Sequence, residues 1–395
     1  MSQHPMRTPA AGRSFAVLLL LVAAGPAAAQ LYAPPATSLV IDTSIRSAAM
    51  GGAGAAVYWG EPGVWANPAT LAGVNGIGWV TGHTHVLPGI EEEITFSSQR
   101  LLIGAGGLGF SLMGQPISGL GKAKVEYPPL ALPLGGEGDR PYDLSEGWGV
   151  GLSPLKLIES LRKLGKASPA SLTSYGDIVV GYQSKASKAV IQPPVFQFDE
   201  APTYDWGVGG RLALARLWGP DAPYRLDLSG SYSQLNVRKK EDNAITTVAS
   251  TQIDRTGFAL HLAPAPPSER SASPPSLPWW RPGDVPELSM GLAYDHDVTH
   301  DEPFDFNRTN VDHYGFEANI FRLLALRVGY LSDPDNGNGS IEGWTYGGGL
   351  TLPIGPWGSV GYQLASVPFV EGLDRQFRQG WALWLDPGRI WTDAR

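Results

Sequence analysis

Glu317 and Arg327 flank the short stretch Phe321-Arg322-Leu323, and together they are the clearest pair of interacting charges in the chain. A tight hairpin pairing Ile320 with Leu324 would set Glu317 directly opposite Arg327. Opposite charges facing across a ladder are mildly stabilising. Other clusters have suitable residue types but poorer spacing. Asp295-His296-Asp297, with His300, Asp301 and Glu302, carries oxygen and imidazole donors for a divalent cation, and equally reads as a solvated loop. His83-x-His85 puts two imidazoles on one strand face without a third ligand, which favours interfacial packing. Asp333–Glu342 has the composition of a calcium loop but not the EF-hand spacing, and reads as hairpin turn chemistry. Gly52-Ala53-Gly54-Ala55-Ala56-Val57 follows no strand, so its glycines read as close-packing positions rather than a nucleotide loop. There is no G-x-S-x-G, no H-E-x-x-H and no carboxylate pair identified by spacing. The expectation is a non-enzymatic chain with no cofactor and no metal.

The elements that would position these charges are strands. Arg7 and Arg13 precede the apolar run Phe15–Ala24, and Ala27-x-Ala29 offers a cleavage site, so residues 1–29 are expected to be a secretory signal. That run is shorter than the roughly 20 residues a spanning helix needs. The chain has 395 residues, no cysteine and a formal charge of −8, which losing Arg7 and Arg13 makes more acidic, and nucleic acid is excluded as a partner. Gly (50), Trp (13) and Tyr (14) are all abundant, a balance that points to barrels more than sandwiches.

From Gly76 onward the pattern has period 2. In Tyr224–Gln234, Tyr224, Leu226, Leu228 and Tyr232 alternate with Arg225, Asp227, Ser229, Ser231 and Ser233. Tyr204–Trp218, Leu288–Asp297 and Gly343–Ile354 behave alike, and aromatics mark the ends of their bulky faces. These runs match the about 9–11 residues of a tilted membrane strand, bulky side to lipid, small and polar side inward. Backbone in lipid must be fully paired, so the strands must close into a barrel. About fourteen strands can be placed, an even number as bacterial barrels require. Tight connections at Ile103-Gly104, Phe321-Arg322 and Gly355-Pro356, and a short one at Gly219–Pro223, alternate with long polar ones such as Gly114–Leu144 and Val237–Ala249. Two connections on the short side are long: Pro264–Glu287, rich in proline, and Ser153–Tyr175. The latter starts with a cap-like Ser153-Pro154 and an amphipathic helix that would lie at the membrane surface. The lumen would then be lined by Asp205, Arg211, Arg225, Asp227, Arg255, Glu317 and Arg327.

Ser47–Val74 fits none of these patterns. It is small, apolar and rich in Gly and Ala, and is expected to fold inward as a plug. The expected organisation is signal 1–29, plug segment 30–75, barrel 76–386 and tail 387–395. The plug reading rests on Gly51, Gly52, Gly54, Tyr58, Trp59, Trp65, Asn67 and Pro68.

Arg46, the run Met50-Gly51-Gly52-Ala53-Gly54, Tyr58-Trp59, and Asn67-Pro68-Ala69 before Leu71-Ala72 resemble the opening of PorV/PorQ-type outer-membrane proteins of the FadL-like (OMPP1/TodX) barrel superfamily. FEANIFRLLALRVGYLSD and YGGGLTLPIGPWGSVGYQLASVP also look like that family. There are two departures. Trp65-Ala66 separates the aromatic from Asn67, and the C-terminus lacks a terminal aromatic, placing the end of the last strand near Leu385. The resemblance implies an all-β transmembrane antiparallel barrel with its N-terminal segment in the lumen, located in the bacterial outer membrane and touching its lipid. It also implies two possible functions. A PorV-type barrel would act in type IX-like protein secretion, as a shuttle or surface scaffold for secreted cargo. A FadL-like transporter would carry hydrophobic small molecules, and would need apolar space near Val57, Tyr58, Trp59 and Trp65.

Overall fold

The computed structural model describes residues 41–85, 94–113, 123–126, 142–164, 173, 175–192, 196–197, 201–214, 224–238, 251–264, 288–301, 310–321, 323–333, 341–354, 357–368 and 375–386. The signal 1–29, the loops 265–287 and 334–340, and the tail 387–395 lie outside the described residues.

Among the described residues, sixteen strands form one sheet. They are β1 (Gly76–His85), β2 (Thr95–Ala105), β3 (Leu108–Met113), β4 (Ala123–Glu126), β5 (Tyr142–Leu152), β6 (Gly176–Gln192), β7 (Phe196–Gln197) and β8 (Ala201–Ala213). After these come β9 (Tyr224–Arg238), β10 (Thr251–Pro264), β11 (Leu288–Asp301), β12 (Asn310–Ile320), β13 (Leu324–Asp333), β14 (Ile341–Pro353), β15 (Gly358–Val367) and β16 (Gln376–Leu385). β1 pairs with β16, so the sheet closes on itself. β3 and β4 share one position between β2 and β5, and β7 pairs only with the end of β6. The result is a closed antiparallel barrel of 14 strand positions. Closure removes the edges that would leave backbone groups unpaired in lipid.

The structure refines the sequence reading in several places. The tight turn expected at Ile103-Gly104 lies at Gly106-Gly107, because Ile103 and Gly104 still pair with Phe110 and Gly109 in the β2–β3 ladder. The stretch Gly114–Leu144, read as one long loop, contains β4, a run of four residues too short to show alternation. The long connections after β5 and β10 join neighbouring antiparallel strands, so the strand count holds and the short-turn end is simply elaborated there.

Alternation sorts side chains between lumen and outside. Phe258, Tyr294, Tyr314, Tyr330 and Trp344 occupy one register row on the outer face of β10–β14. Tyr294 and Tyr314 lie 5.1 Å apart between ring centroids, and Tyr330 and Trp344 lie 5.4 Å apart. Aromatic bodies with polar tips suit the boundary between acyl chains and headgroups.

Residues 41–75 lie inside the ring. Helix α1 (Ile45–Ala49) is capped by Ser44, whose hydroxyl accepts from Ser47 N at 3.1 Å. A 3-10 helix, Pro68–Gly73, is capped by Asn67, whose Oδ1 accepts from Ala69 N at 2.9 Å, with Pro68 at a position that needs no N–H. A second α-helix, α2 (Pro154–Leu164), follows β5 at the short-turn end.

Candidate functional site

The inner segment winds past most of the wall, and small residues on the wall allow it to. Met50 and Gly51 press on Gly315 and Gly329, Ala49 on Gly347, Ala69 on Gly181, and Leu71 and Ala72 on Gly109 and Gly151. A Cβ at Gly315 would stand 2.8 Å from Met50 Cβ, and one at Gly347 would stand 2.5 Å from Ala49 Cβ. Gly51 and Gly52 themselves hold φ of +71° and +95°, which favours glycine, and a side chain at either would meet the wall. Tyr58 approaches Gly209 and Trp59 packs over Gly291, while Asn67 Nδ2 donates to Ala55 O (3.1 Å) and to Val208 O of β8 (3.4 Å). Pro68 likewise backs onto Gly181.

Polar contacts hold the segment in place. Arg46 forks onto Glu317, Nε to Oε2 at 2.8 Å and Nη2 to Oε1 at 2.7 Å. Arg327 Nε donates to the same carboxylate at 2.6 Å, and Trp59 Nε1 donates to it at 3.0 Å. Glu317 does face Arg327 across the β12–β13 ladder. The guanidinium of Arg46 also donates to Glu61 O at 2.9 Å, and Gln363 Nε2 donates to Glu61 Oε2 at 2.7 Å. Burial pushes the Glu61 carboxyl up, against the pull of the Gln363 hydrogen bond and the nearby Arg46, Arg100 and Arg327. Asp295 Oδ2 accepts from both Gly54 N (2.7 Å) and Ala55 N (2.8 Å). His313 Nδ1 lies 2.6 Å from Gly51 O, and its Nε2 lies 3.1 Å from Asp297 Oδ2. Ser229, Ser233 and Thr345 donate to segment carbonyls at 2.7–2.9 Å.

The remaining lumen charges form wall pairs. Arg255 Nε donates to Asp297 at 2.6 Å, Lys185 pairs with Asp205 at 2.7 Å, and Arg211 and Arg225 both face Asp227. Asp205 also accepts from Asn236 N at 2.7 Å, where Asn236 has φ +55° and the β8–β9 register shifts. The Asp295–Asp297 cluster is split by alternation. Asp295 and Asp297 point into the lumen, whereas His296 pairs with Asp312 on the other face at 2.9 Å. No group of three metal-type ligands occurs among the described residues. His83 and His85 meet edge to face at 5.2 Å.

A second feature is apolar. Trp65, Phe96, Met113, Ala123 and Val125 form one buried cluster. Arg100 of β2 stacks over the Trp65 ring at 5.4 Å and hydrogen-bonds Thr43, and Lys185 approaches the same ring at 4.6 Å. This cluster sits at the wall where β3 and β4 share one position between β2 and β5. β3 pairs with Leu101–Ala105 of β2, and β4 pairs with Thr95–Ser98. Residues 114–122, which join β3 to β4, lie outside the described residues. Along the β1–β16 seam, Trp381 N donates to Thr81 Oγ1 at 3.0 Å.

Space between segment and wall is small. One cavity beside Arg46, Met50, Val57 and Glu61, and another beside Thr43, Ser98 and Arg100, measure about 10 Å³ each, room for about one water. Near the expected apolar space, Val57 and Trp59 pack with Met50, Ala259 and Ala293, and Trp65 packs with Phe96, Met113, Ala123 and Val125. A shallow concavity of about 680 Å³ lies instead on the outer face, around Phe258, Leu292, Tyr314 and Trp344.

The chain is similar to the CymD monoaromatic hydrocarbon channel (11% identity, 88% of this chain and 98% of that one, TM-score 0.45). It is similar to the Ralstonia pickettii toluene transporter TbuX (10% identity, 88% and 99%, TM-score 0.44) and to a Pseudomonas aeruginosa FadL homologue (10% identity, 88% and 98%, TM-score 0.39). No family model and no curated protein matches it.

Glu317 and Arg327, expected in the lumen, pair there, and Arg100, Lys185, Asp295, Asp297 and His313, which were not among the expected lumen charges, also make contacts in the lumen. Each is at an inward position of its strand, and inward parity was the available signal. The contacts of Arg46 had none.

Proposed function

We propose that the protein is a non-enzymatic barrel of the bacterial outer membrane that passes small hydrophobic molecules. The observation that carries this reading is the buried apolar cluster of Trp65 of the inner segment with Phe96, Met113, Ala123 and Val125 of the wall. An apolar cluster between segment and wall gives a small hydrophobic solute a place to leave water. The cavities beside the inner segment hold about one water each, so passage past it requires the segment to shift. The polar latches on Arg46, Gly51, Gly54 and Ala55 are the contacts such a shift would break.

The protein-docking reading from the PorV resemblance has one observation in its favour: the cavities beside the inner segment have room for about one water each, too little for a solute. Purification from native outer membranes in mild detergent, with bound molecules identified by mass spectrometry, separates the two readings. Bound apolar small molecules support transport. Co-purified exported proteins without such molecules overturn it.

A further inference from the structure

The helix α2 is amphipathic in the reverse sense for a helix facing water. Lys156, Glu159 and Ser160 turn to the barrel, whereas Ile158 and Leu161 turn away from it. Ser153 Oγ caps it, accepting from Lys156 N at 3.1 Å and donating to Asp177 Oδ1 at 2.6 Å. Lys156 Nζ reaches Asp177 Oδ2 at 3.1 Å, Glu159 is buried and accepts from Thr173 Oγ1 at 2.9 Å, and Ser160 Oγ donates to Gly106 O at 3.4 Å. The β2–β3 turn makes room for this face, since Gly106 and Gly107 hold φ of +59° and +92°, and a Cβ on Gly107 would stand 2.6 Å from Lys156 Cβ. On the opposite side, Ile158 is 43% exposed and Leu161 58% exposed, with Arg162 exposed beside them.

We propose that α2 lies in the periplasmic leaflet of the outer membrane, with Ile158 and Leu161 in the acyl boundary and Arg162 reaching for phospholipid phosphate. A helix in water turns its polar face outward. Here the polar face is already engaged by the protein, so the exposed apolar face calls for an apolar medium. The lipid-facing wall supplies one nearby. Tyr175, at the start of β6, is 64% exposed, and Ile178 on its outer face is 62% exposed. The short-turn end of such barrels is periplasmic, which assigns the leaflet. An interfacial helix of this kind takes lipid on its apolar face and leaves its basic residue at the headgroups. Its hold on both the β2–β3 turn and Asp177 of β6 would anchor that part of the barrel rim.

The chain has no cysteine, so single labels are clean. Ile158→Cys, Leu161→Cys and, as an aqueous control, Asn75→Cys would each carry a nitroxide. The full barrel would be placed in nanodiscs of phosphatidylethanolamine and phosphatidylglycerol, and heat-modifiable gel mobility would confirm folding. Labels at 158 and 161 should relax with oxygen severalfold more than with a water-soluble nickel chelate, and the label at 75 should do the reverse. A water-like response at 158 and 161 would overturn the proposal. So would protection from both relaxants, which would mean that protein rather than lipid covers the helix.

Discussion

Arg46 and Glu317 are 271 residues apart in sequence and form a fork–fork ion pair at 2.7 Å. The pair ties the inner segment to the wall, and Arg327 shares the same carboxylate from the neighbouring strand. The asymmetry of this triad sets an expectation. Arg46→Ala leaves Glu317 still paired to Arg327. Glu317→Ala takes the carboxylate from two buried guanidinium groups, leaving Arg46 with the Trp59 and Glu61 carbonyls and Arg327 with Gln363. Breaking a buried pair from one side costs about 3–5 kcal/mol, so Glu317→Ala should lower the urea midpoint of the folded barrel more than Arg46→Ala does. Both should raise single-channel conductance in planar bilayers by loosening the segment. Equal midpoints for the two variants would contradict the shared-carboxylate arrangement.

Wall glycines should differ by face. Gly329→Val puts a branched side chain into Met50 and Gly51, whereas a Cβ at Gly210 has Asp177 O as its nearest neighbour at 3.5 Å. Limited proteolysis in detergent should therefore cut within residues 41–75 of Gly329→Val and leave Gly210→Ala resistant. Equal resistance would mean that the segment does not need the glycine.

Trp65 joins the apolar cluster to two cations. Trp65→Ala should cost about 3–5 kcal/mol in barrel stability from lost burial, with about 1 kcal/mol more from each lost cation–π contact. If the cluster is the solute's site, Trp65→Phe should keep most of the stability while weakening retention of apolar molecules after purification, read by mass spectrometry. Unchanged retention would move the site elsewhere.

Much of the wall could be read from the chain. Period 2 and the alternation of short and long connections gave the strands, because lipid outside and polar lumen inside impose opposite chemistry on neighbouring residues. The same rule pairs Glu317 with Arg327 through a tight hairpin. It was harder to foresee that Asp295-His296-Asp297 would be divided between two faces, since a dense cluster in sequence invites a single-site reading. β4 was hidden because Ala123–Glu126 is too short to display a period. The route of residues 41–75 could not be read at all. Its contacts join an irregular segment to distant strands, and no local pattern encodes which inward glycine will meet which residue.

The most direct test of passage through this barrel is uptake of a radiolabelled apolar solute by proteoliposomes with a lipopolysaccharide outer leaflet. Hexadecane and a long-chain fatty acid would serve as probes. The proposed function predicts uptake well above protein-free vesicles, reduced by Trp65→Phe and altered by Arg46→Ala. Uptake equal to protein-free vesicles, from a barrel shown to be folded, would contradict it.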